Sequence, residues 1–152
     1  MLRPKDVDLK LGWIHVAARE GWKPKTSQSR KIPIHSRLLN ILKAYVATVR
    51  ELSLRQYFFS DSPNGSRPIN VRTLNVDLQA RAESTGISVG RKHNGLVTHS
   101  LRHFFETQSV DAGVPQFVVD QWMGHRGQAL MGRTYYGHSD QKSMEFMQRV
   151  KF

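Results

Sequence analysis

Side chains suited to proton transfer and to phosphate chemistry occur in separate segments of this sequence. They are Lys25, His99, Arg102, His125 and Tyr135. Arginine offers a planar fork of donors to an anion, histidine exchanges protons near neutral pH, and tyrosine can act as a nucleophile. Taken singly, each also fits a plain role: a solvated lysine, an exposed His–Arg pair on one helix face, an imidazole at a helix end, or a packed aromatic ring. Their order and spacing therefore decide the interpretation.

A β-hairpin is predicted to carry Lys25. Residues 12–16 and 30–34 follow the two-residue period of strands, and the polar residues 17–29 between them indicate a loop. Pro33 has no N–H to donate to a neighbouring strand, which indicates that the second strand lies at the edge of its sheet.

Helices are predicted for most of the remaining chain. From Ser36 the apolar residues recur at steps of three and four, which predicts a core helix. Its apolar stripe comprises Leu38, Ile41, Leu42, Tyr45, Val46 and Val49. Asn70 has the side chain of an N-cap for a second helix, and Gly86 is a suitable stop for it.

Three further helices are predicted to hold Arg102 and the histidines. They extend from Thr98 to Gly113, over residues 116–123 after Pro115, and over residues 141–150. Thr98 is the expected N-cap of the first, and Gly124 ends the second. His103, next to Arg102, is expected to buttress the same site or to pack in the core.

Composition limits the class of protein. The 152 residues fit one domain, 1–152, and 23 Lys plus Arg against 12 Asp plus Glu leave a net charge of +11 at pH 7, which indicates a polyanionic partner. The absence of cysteine excludes disulfide frameworks and thiolate metal sites. No run approaches the ~18 apolar residues of a membrane span, and the N-terminus is unlike a signal peptide. We therefore expect a cytoplasmic domain with no membrane partner, although charge alone does not separate a DNA enzyme from a ribosomal protein.

In their order and spacing, these segments resemble the C-terminal catalytic domain of the tyrosine recombinases, the phage integrase family. The resemblance covers nearly the whole chain. It consists of an H-x-x-R box at His99 and Arg102, a Leu-Gly-His box at Met123-Gly124-His125, a nucleophile box at Tyr135-Tyr136, and a catalytic hairpin from Lys25 to Pro33.

The resemblance implies an α+β, mainly α, catalytic domain with a small antiparallel sheet. The implied reaction is site-specific recombination or integration by DNA strand cleavage and rejoining. In it, Tyr135 attacks phosphorus to form a 3′-phosphotyrosyl link, and Lys25 protonates the leaving 5′-oxygen. Arg102 binds a non-bridging oxygen, while His99 and His125 donate hydrogen bonds to the same group or move protons. No metal ion and no other cofactor is implied.

The implied partners are double-stranded DNA and further copies of the protein in a DNA-bound synaptic tetramer. Five basic residues are expected to contact the DNA backbone: Arg30, Lys31, Arg91, Lys92 and Arg126. For the residues at 91, 92 and 126, a solvated basic loop is the simpler alternative. The last helix would dock on a neighbouring copy in such an assembly or fold back on its own core.

The resemblance has one clear departure. The family's first catalytic arginine lies upstream of a segment that residues 1–8 match, so we expect it, and the family's N-terminal DNA-binding region, to be missing here. The expected product is a fragment that cleaves DNA weakly or not at all by itself. A DNA-binding module or degenerate integrase without catalysis is therefore the alternative hypothesis.

The nucleophile is also open between two tyrosines. Tyr135 lies ten residues after His125, a spacing that the family tolerates, and Tyr136 lies eleven after it. Residues 136–138, however, copy a frequent tyrosine-x-histidine ending. Spacing favours Tyr135, which is the predicted nucleophile.

Overall fold

The computed structural model describes residues 1–19, 29–49, 51–90, 95–125 and 139–152. Within these ranges the chain forms three strands and five α-helices. The strands are β1 (Val7–Asp8), β2 (Trp13–Val16) and β3 (Arg30–Pro33). The helices are α1 (Ser36–Thr48), α2 (Val71–Ser84), α3 (Thr98–Asp111), α4 (Gln116–Met123) and α5 (Asp140–Arg149). The predicted α+β, mainly helical class is confirmed, and none of the described helices is long and apolar enough to cross a membrane.

The sheet has the strand order β1-β2-β3, and both pairs are antiparallel. Strands β2 and β3 form the predicted hairpin, with Trp13 opposite Pro33 and Val16 opposite Arg30. Strand β3 is an edge strand among the described strands, as the missing N–H of Pro33 predicts. The sequence pattern does not predict the two-residue strand β1. The hairpin is the element that brings Arg30 toward the helices.

Apolar side chains form two buried clusters. The larger joins α4 to α5 and contains Val114, Val118, Val119, Trp122, Met123, Phe146, Met147 and Val150. The smaller contains Ile34, Leu42 and Phe58. Ile32 packs against the larger cluster and Ile14 against the smaller one, so the sheet contacts both. Each large apolar side chain buried in this way contributes about 1.5–3 kcal/mol to the transfer free energy that stabilises the fold.

Helix α5 packs on its own chain. The buried indole Nε1 of Trp122 donates a hydrogen bond to Ser143 Oγ at 3.1 Å, and Met147 and Val150 complete the larger cluster. The helix lies one residue earlier than the predicted range 141–150. In the single chain, α5 therefore folds back on its own core, which is one of the two predicted placements.

The buried face of α1 differs in part from the predicted stripe. Leu42 is buried and Tyr45 and Val46 pack against its cluster, but Leu38 is 42% exposed and Ile41 64% exposed. These two side chains line an apolar groove of about 430 Å³ that also includes Phe152. The predicted helical period is correct. The apolar stripe, however, is wider than the surface that α1 buries, because α1 packs on the core along only one side.

The predicted N-cap of α3 is wrong by one residue. Helix α3 begins at Thr98 itself, and Val97 occupies the N-cap position. Valine has no side-chain acceptor to cap the helix, but the backbone N–H of Val97 donates to Ser100 Oγ at 3.2 Å, which is the reciprocal hydrogen bond of a capping box. The Thr98 hydroxyl bonds instead to the Asn75 side chain on α2. A contact between helices therefore replaces the expected local one.

Candidate active site

Arg102 and His125 meet where α3 passes the end of α4. One terminal nitrogen of Arg102, Nη2, donates to the Met123 carbonyl at 2.7 Å and lies 3.0 Å from Nε2 of His125. Both side chains are partly buried. The arginine of the H-x-x-R box and the histidine of the Gly-His pair therefore form one group, although they are 23 residues apart in sequence.

Gly124 sets the direction in which His125 leaves α4. Its φ of +74° lies in the left-handed region, which glycine adopts without steric cost. The N–H of His125 donates to the Asp120 carbonyl at 2.9 Å, and the N–H of Gly124 donates to the Gln121 carbonyl at 3.3 Å. This is the Schellman pattern of helix ends. It turns the chain sharply and places the imidazole beside Arg102.

Arg30 of β3 reaches the same helix end from the opposite direction. Its Nε donates to the Trp122 carbonyl at 3.0 Å. A Cβ built on Gly124 would lie only 2.6 Å from Arg30 Nη1, so the absence of a side chain at that position allows the close approach. Burial and the nearby charge of Arg102 both lower the pKa of Arg30. Two guanidinium groups thus lie side by side at the end of α4.

Asp120 lies behind the imidazole and is only 7% exposed. Its Oδ1 is 3.3 Å from Nδ1 of His125 and accepts a hydrogen bond from Gln116 Nε2 at 3.0 Å. Glu106 of α3 also faces this group, because one ligand atom each of Glu106, Asp120 and His125 lie within 4.8 Å of one another. The two carboxylates partly compensate the positive charge of the arginines.

His99 lies at the mouth of the site. It is exposed and, together with Arg102, lines a cleft of about 530 Å³ between the start of α3 and Asn75 and Gln79 of α2. His103 is exposed too, with its ring edge-to-face with His99 at 4.7 Å between centroids. The expectation that His103 packs in the core is therefore wrong. Its contact with the His99 ring is compatible with the buttressing role, which stays a prediction.

Two of the predicted DNA contacts fall within the described residues. Arg30 is half-buried at the end of α4, as described above, and the ammonium group of Lys31 pairs with Asp140 and lies 4.3 Å from the centroid of the Trp13 ring. The other predicted site residues lie outside the described residues: Lys25, Arg91, Lys92, Arg126, Tyr135 and its alternative Tyr136. Their roles remain predictions.

Comparison with known proteins decides the family. Residues 1–142 match the sequence model of the phage integrase family, which is nearly the whole chain. The chain belongs to the phage integrase family. A curated relative, a probable integrase/recombinase protein of Methanocaldococcus jannaschii, is 26% identical over 151 residues, which are 98% of this chain and 43% of that protein.

Solved integrase-family structures share the fold. The integrase of mycobacterium phage Brujita superposes with a TM-score of 0.64 at 21% identity, over 99% of this chain and 44% of that one. The XerA recombinase gives a TM-score of 0.63 at 19% identity, over 99% and 51%. The Tn1549 transposon integrase, solved in complex with transposon right-end DNA, gives 0.61 at 20%, over 98% and 52%. The chain thus spans about half the length of these relatives.

The sequence motifs do not assign three residues to this candidate site. From the sequence, Arg30 is predicted only to contact the DNA backbone. Its contact with the end of α4 is not predictable from local motifs, because it joins residues that are 92 apart in sequence. Asp120 and Gln116 are not singled out at all. A signal for Asp120 exists, since a helix that ends at a glycine places the residue four before that glycine beside the residue after it.

Proposed function

We propose that these residues form the catalytic domain of a site-specific recombinase that cleaves and rejoins DNA through a 3′-phosphotyrosyl intermediate. The observation that carries the proposal is the convergence of Arg102, Arg30 and His125 at the end of α4. Among the described residues neither arginine has a carboxylate within salt-bridge distance. Two adjacent guanidinium groups without a bound carboxylate suit an anion, and a phosphodiester supplies one.

In the proposed reaction, each predicted catalytic side chain has a defined role. The Tyr135 hydroxyl oxygen attacks phosphorus and gives its proton to His99 or His125. The bond from phosphorus to the 5′-oxygen breaks, and Lys25 protonates that oxygen. Arg102 and Arg30 stabilise the additional negative charge on the non-bridging oxygens in the transition state. Attack by the 5′-hydroxyl of another strand reverses these steps and releases the tyrosine, so the bond energy is kept and no nucleotide cofactor is consumed.

Double-stranded DNA in the cytoplasm is the proposed substrate, and a tetramer on DNA is the proposed assembly. The net charge of +11 supports a polyanionic substrate. The Tn1549 integrase, which shares this fold, was solved with its transposon DNA. The cleft between α2 and α3 opens beside Arg102 and provides space for a phosphate group next to it.

The proposal can be tested by measuring covalent protein–DNA adducts in the host cell. The host cell contains the DNA site that the protein cleaves, so this site need not be known beforehand. The complete gene product that contains these residues would be expressed in its host, and denatured adducts would be recovered and quantified. We expect the adduct yield to fall by about 100-fold or more in Arg102→Ala, since removing one transition-state donor costs about that much. The matched control is Arg81→Ala, an exposed arginine at the end of α2, which should leave the yield unchanged.

Equal yields in the wild type and in Arg102→Ala would contradict the proposal. DNA binding without any adduct in the wild type would favour a DNA-binding module that lacks catalysis. We further propose that the 152 residues alone give only a weak adduct, because the resemblance assigns to them one of the family's two catalytic arginines. The same assay on the isolated chain measures this.

A further inference from the structure

The two nitrogens of the His125 ring have different partners. Nε2 lies 3.0 Å from Nη2 of Arg102, and Nδ1 lies 3.3 Å from Oδ1 of Asp120. A guanidinium group has only donors and a carboxylate only acceptors. Both contacts are hydrogen bonds only if Nε2 accepts from Arg102 while Nδ1 carries the proton and donates it to Asp120. The opposite tautomer would leave two donors facing each other and two acceptors facing each other.

The contacts of Asp120 stabilise this orientation and this tautomer of the His125 ring. Its backbone carbonyl accepts the His125 N–H at 2.9 Å, so the same residue fixes both the main chain and the ring of His125. Gln116, one turn earlier on α4, donates to the carboxylate at 3.0 Å and orients it. The carboxylate is almost completely buried, which strengthens a charge-assisted hydrogen bond to the imidazole.

We infer that Asp120, oriented by Gln116, is a positioning residue that keeps His125 in the Nδ1–H tautomer with the lone pair of Nε2 directed at Arg102. In this tautomer Nε2 of His125 is a hydrogen-bond acceptor toward Arg102, whereas the family resemblance leaves the ring open between donor and acceptor. The catalytic consequence rests on the proposed function, but the tautomer itself does not. Among the described residues, the charged groups that face the ring are Arg102 and Glu106 from α3 and Asp120 from α4.

Long-range ¹H–¹⁵N correlation spectra of the 152-residue protein at pH 7.5 test the inference. They distinguish the protonated from the unprotonated ring nitrogen, and a His125→Gln variant identifies the signals of His125. We expect the wild type to be predominantly the Nδ1–H tautomer. In Asp120→Asn, which preserves the shape of the side chain, the ratio of Nδ1–H to Nε2–H should fall about five- to tenfold, because a neutral acceptor replaces a charged one.

Two more variants make the result specific. Gln116→Ala removes an exposed side chain, and it should lower the tautomer ratio in the same direction by a smaller factor. Asp111→Asn alters an exposed carboxylate at the end of α3 and should change nothing.

The inference is overturned if Asp120→Asn leaves the tautomer ratio unchanged. It is also overturned if Nδ1 carries no proton in the wild type, whether the proton is on Nε2 or a metal ion is bound between Glu106, Asp120 and His125. The spectra need neither DNA nor cleavage. The spectra can therefore contradict the tautomer assignment without contradicting the recombinase proposal. Likewise, the adduct assay can contradict the recombinase proposal without contradicting the tautomer assignment.

Discussion

The two arginines of the candidate site are oriented by consecutive backbone carbonyls. Arg30 donates to the carbonyl of Trp122 and Arg102 to that of Met123, both in the last turn of α4. Helix ends leave such carbonyls unpaired, and the helix dipole makes them favourable acceptors for cations. Because these contacts use one nitrogen of each guanidinium, the remaining N–H groups can bind an anion. The arrangement fixes the direction of both side chains without neutralising their charge.

An ion pair outside the candidate site, between Asp6 and Arg19, contributes to stability rather than to the proposed chemistry. Burial would raise the pKa of Asp6, but hydrogen bonds from the Arg19 side chain and the Arg3 backbone N–H outweigh it, and the pKa is lowered. The ionised carboxylate therefore stabilises the folded state at pH values above the unfolded-state pKa of about 3.9. That contribution is lost as the pH falls through the lower pKa of the folded state.

The substitution Asp6→Asn should lower the free energy of unfolding at pH 7 by about 2–4 kcal/mol, since it leaves the buried Arg19 charge uncompensated. Urea unfolding at pH 7 and pH 3 measures the effect. The difference between wild type and variant should shrink at pH 3. An equal difference at both pH values would show that the charge of Asp6 is not the cause. Asp61→Asn, at an exposed ion pair, is the control and should cost less than about 1 kcal/mol.

The contact made by Arg30 could not be predicted from the sequence. Its residue type and its place on a strand are readable from the sequence, but its partner is the carbonyl of Trp122, 92 residues away. Such a contact depends on how the hairpin packs against α4, which local periodicity does not determine. The His125 partner Asp120, by contrast, is local and follows from the glycine that ends the helix.

Among the elements, the end of α4 matters most for the site. The Schellman turn at Gly124 aligns the carbonyls that hold the arginines and also directs His125. The helices themselves follow from apolar periodicity and from local signals, as at Asn70, whose side chain accepts from the Arg72 N–H at 2.9 Å. Periodicity does not reveal which part of an apolar stripe is covered, and for this reason it does not predict the exposure of Leu38 and Ile41.

A comparison of two glycines separates backbone strain from crowding at this turn. Gly124→Ala should lower the free energy of unfolding by about 2 kcal/mol or more, because alanine is strained at positive φ and its Cβ would displace Arg30. Gly86→Ala is the control: its φ of +79° is similar, but nothing lies within 4 Å of the added Cβ, so only about 1 kcal/mol should be lost. Thermal unfolding measures both. Equal losses would mean that displacing the Arg30 side chain from Gly124 costs no stability.

For the whole molecule, the charge of +11 is the property that would govern encounters with the proposed DNA substrate. Only part of it belongs to the candidate site, and we propose that unpaired basic residues outside the site contact phosphates along a duplex. Lys31 is already paired with Asp140. Arg91 and Lys92 are therefore the residues whose removal tests backbone contact more directly.

The affinity for a duplex of arbitrary sequence should fall steeply with salt, and fluorescence anisotropy at several salt concentrations measures the slope of log K against log[salt]. Arg91→Ala and Lys92→Ala should each flatten that slope by about 0.9, the value expected for one lost phosphate contact. Lys43→Ala, at an exposed position on α1, serves as the comparison and should leave the slope unchanged. Unchanged slopes in both test variants would assign these two residues to a solvated loop.

Mass spectrometry of the nuclease-digested adduct is the sharpest test of the proposed covalent link between tyrosine and DNA. In the complete gene product we predict a nucleotide 3′-phosphate on Tyr135, absent from Tyr135→Phe and retained in Tyr136→Phe. A nucleotide on Tyr136 would reverse the assignment of the nucleophile. Strand cleavage by the wild-type protein with no nucleotide on either tyrosine would contradict the account.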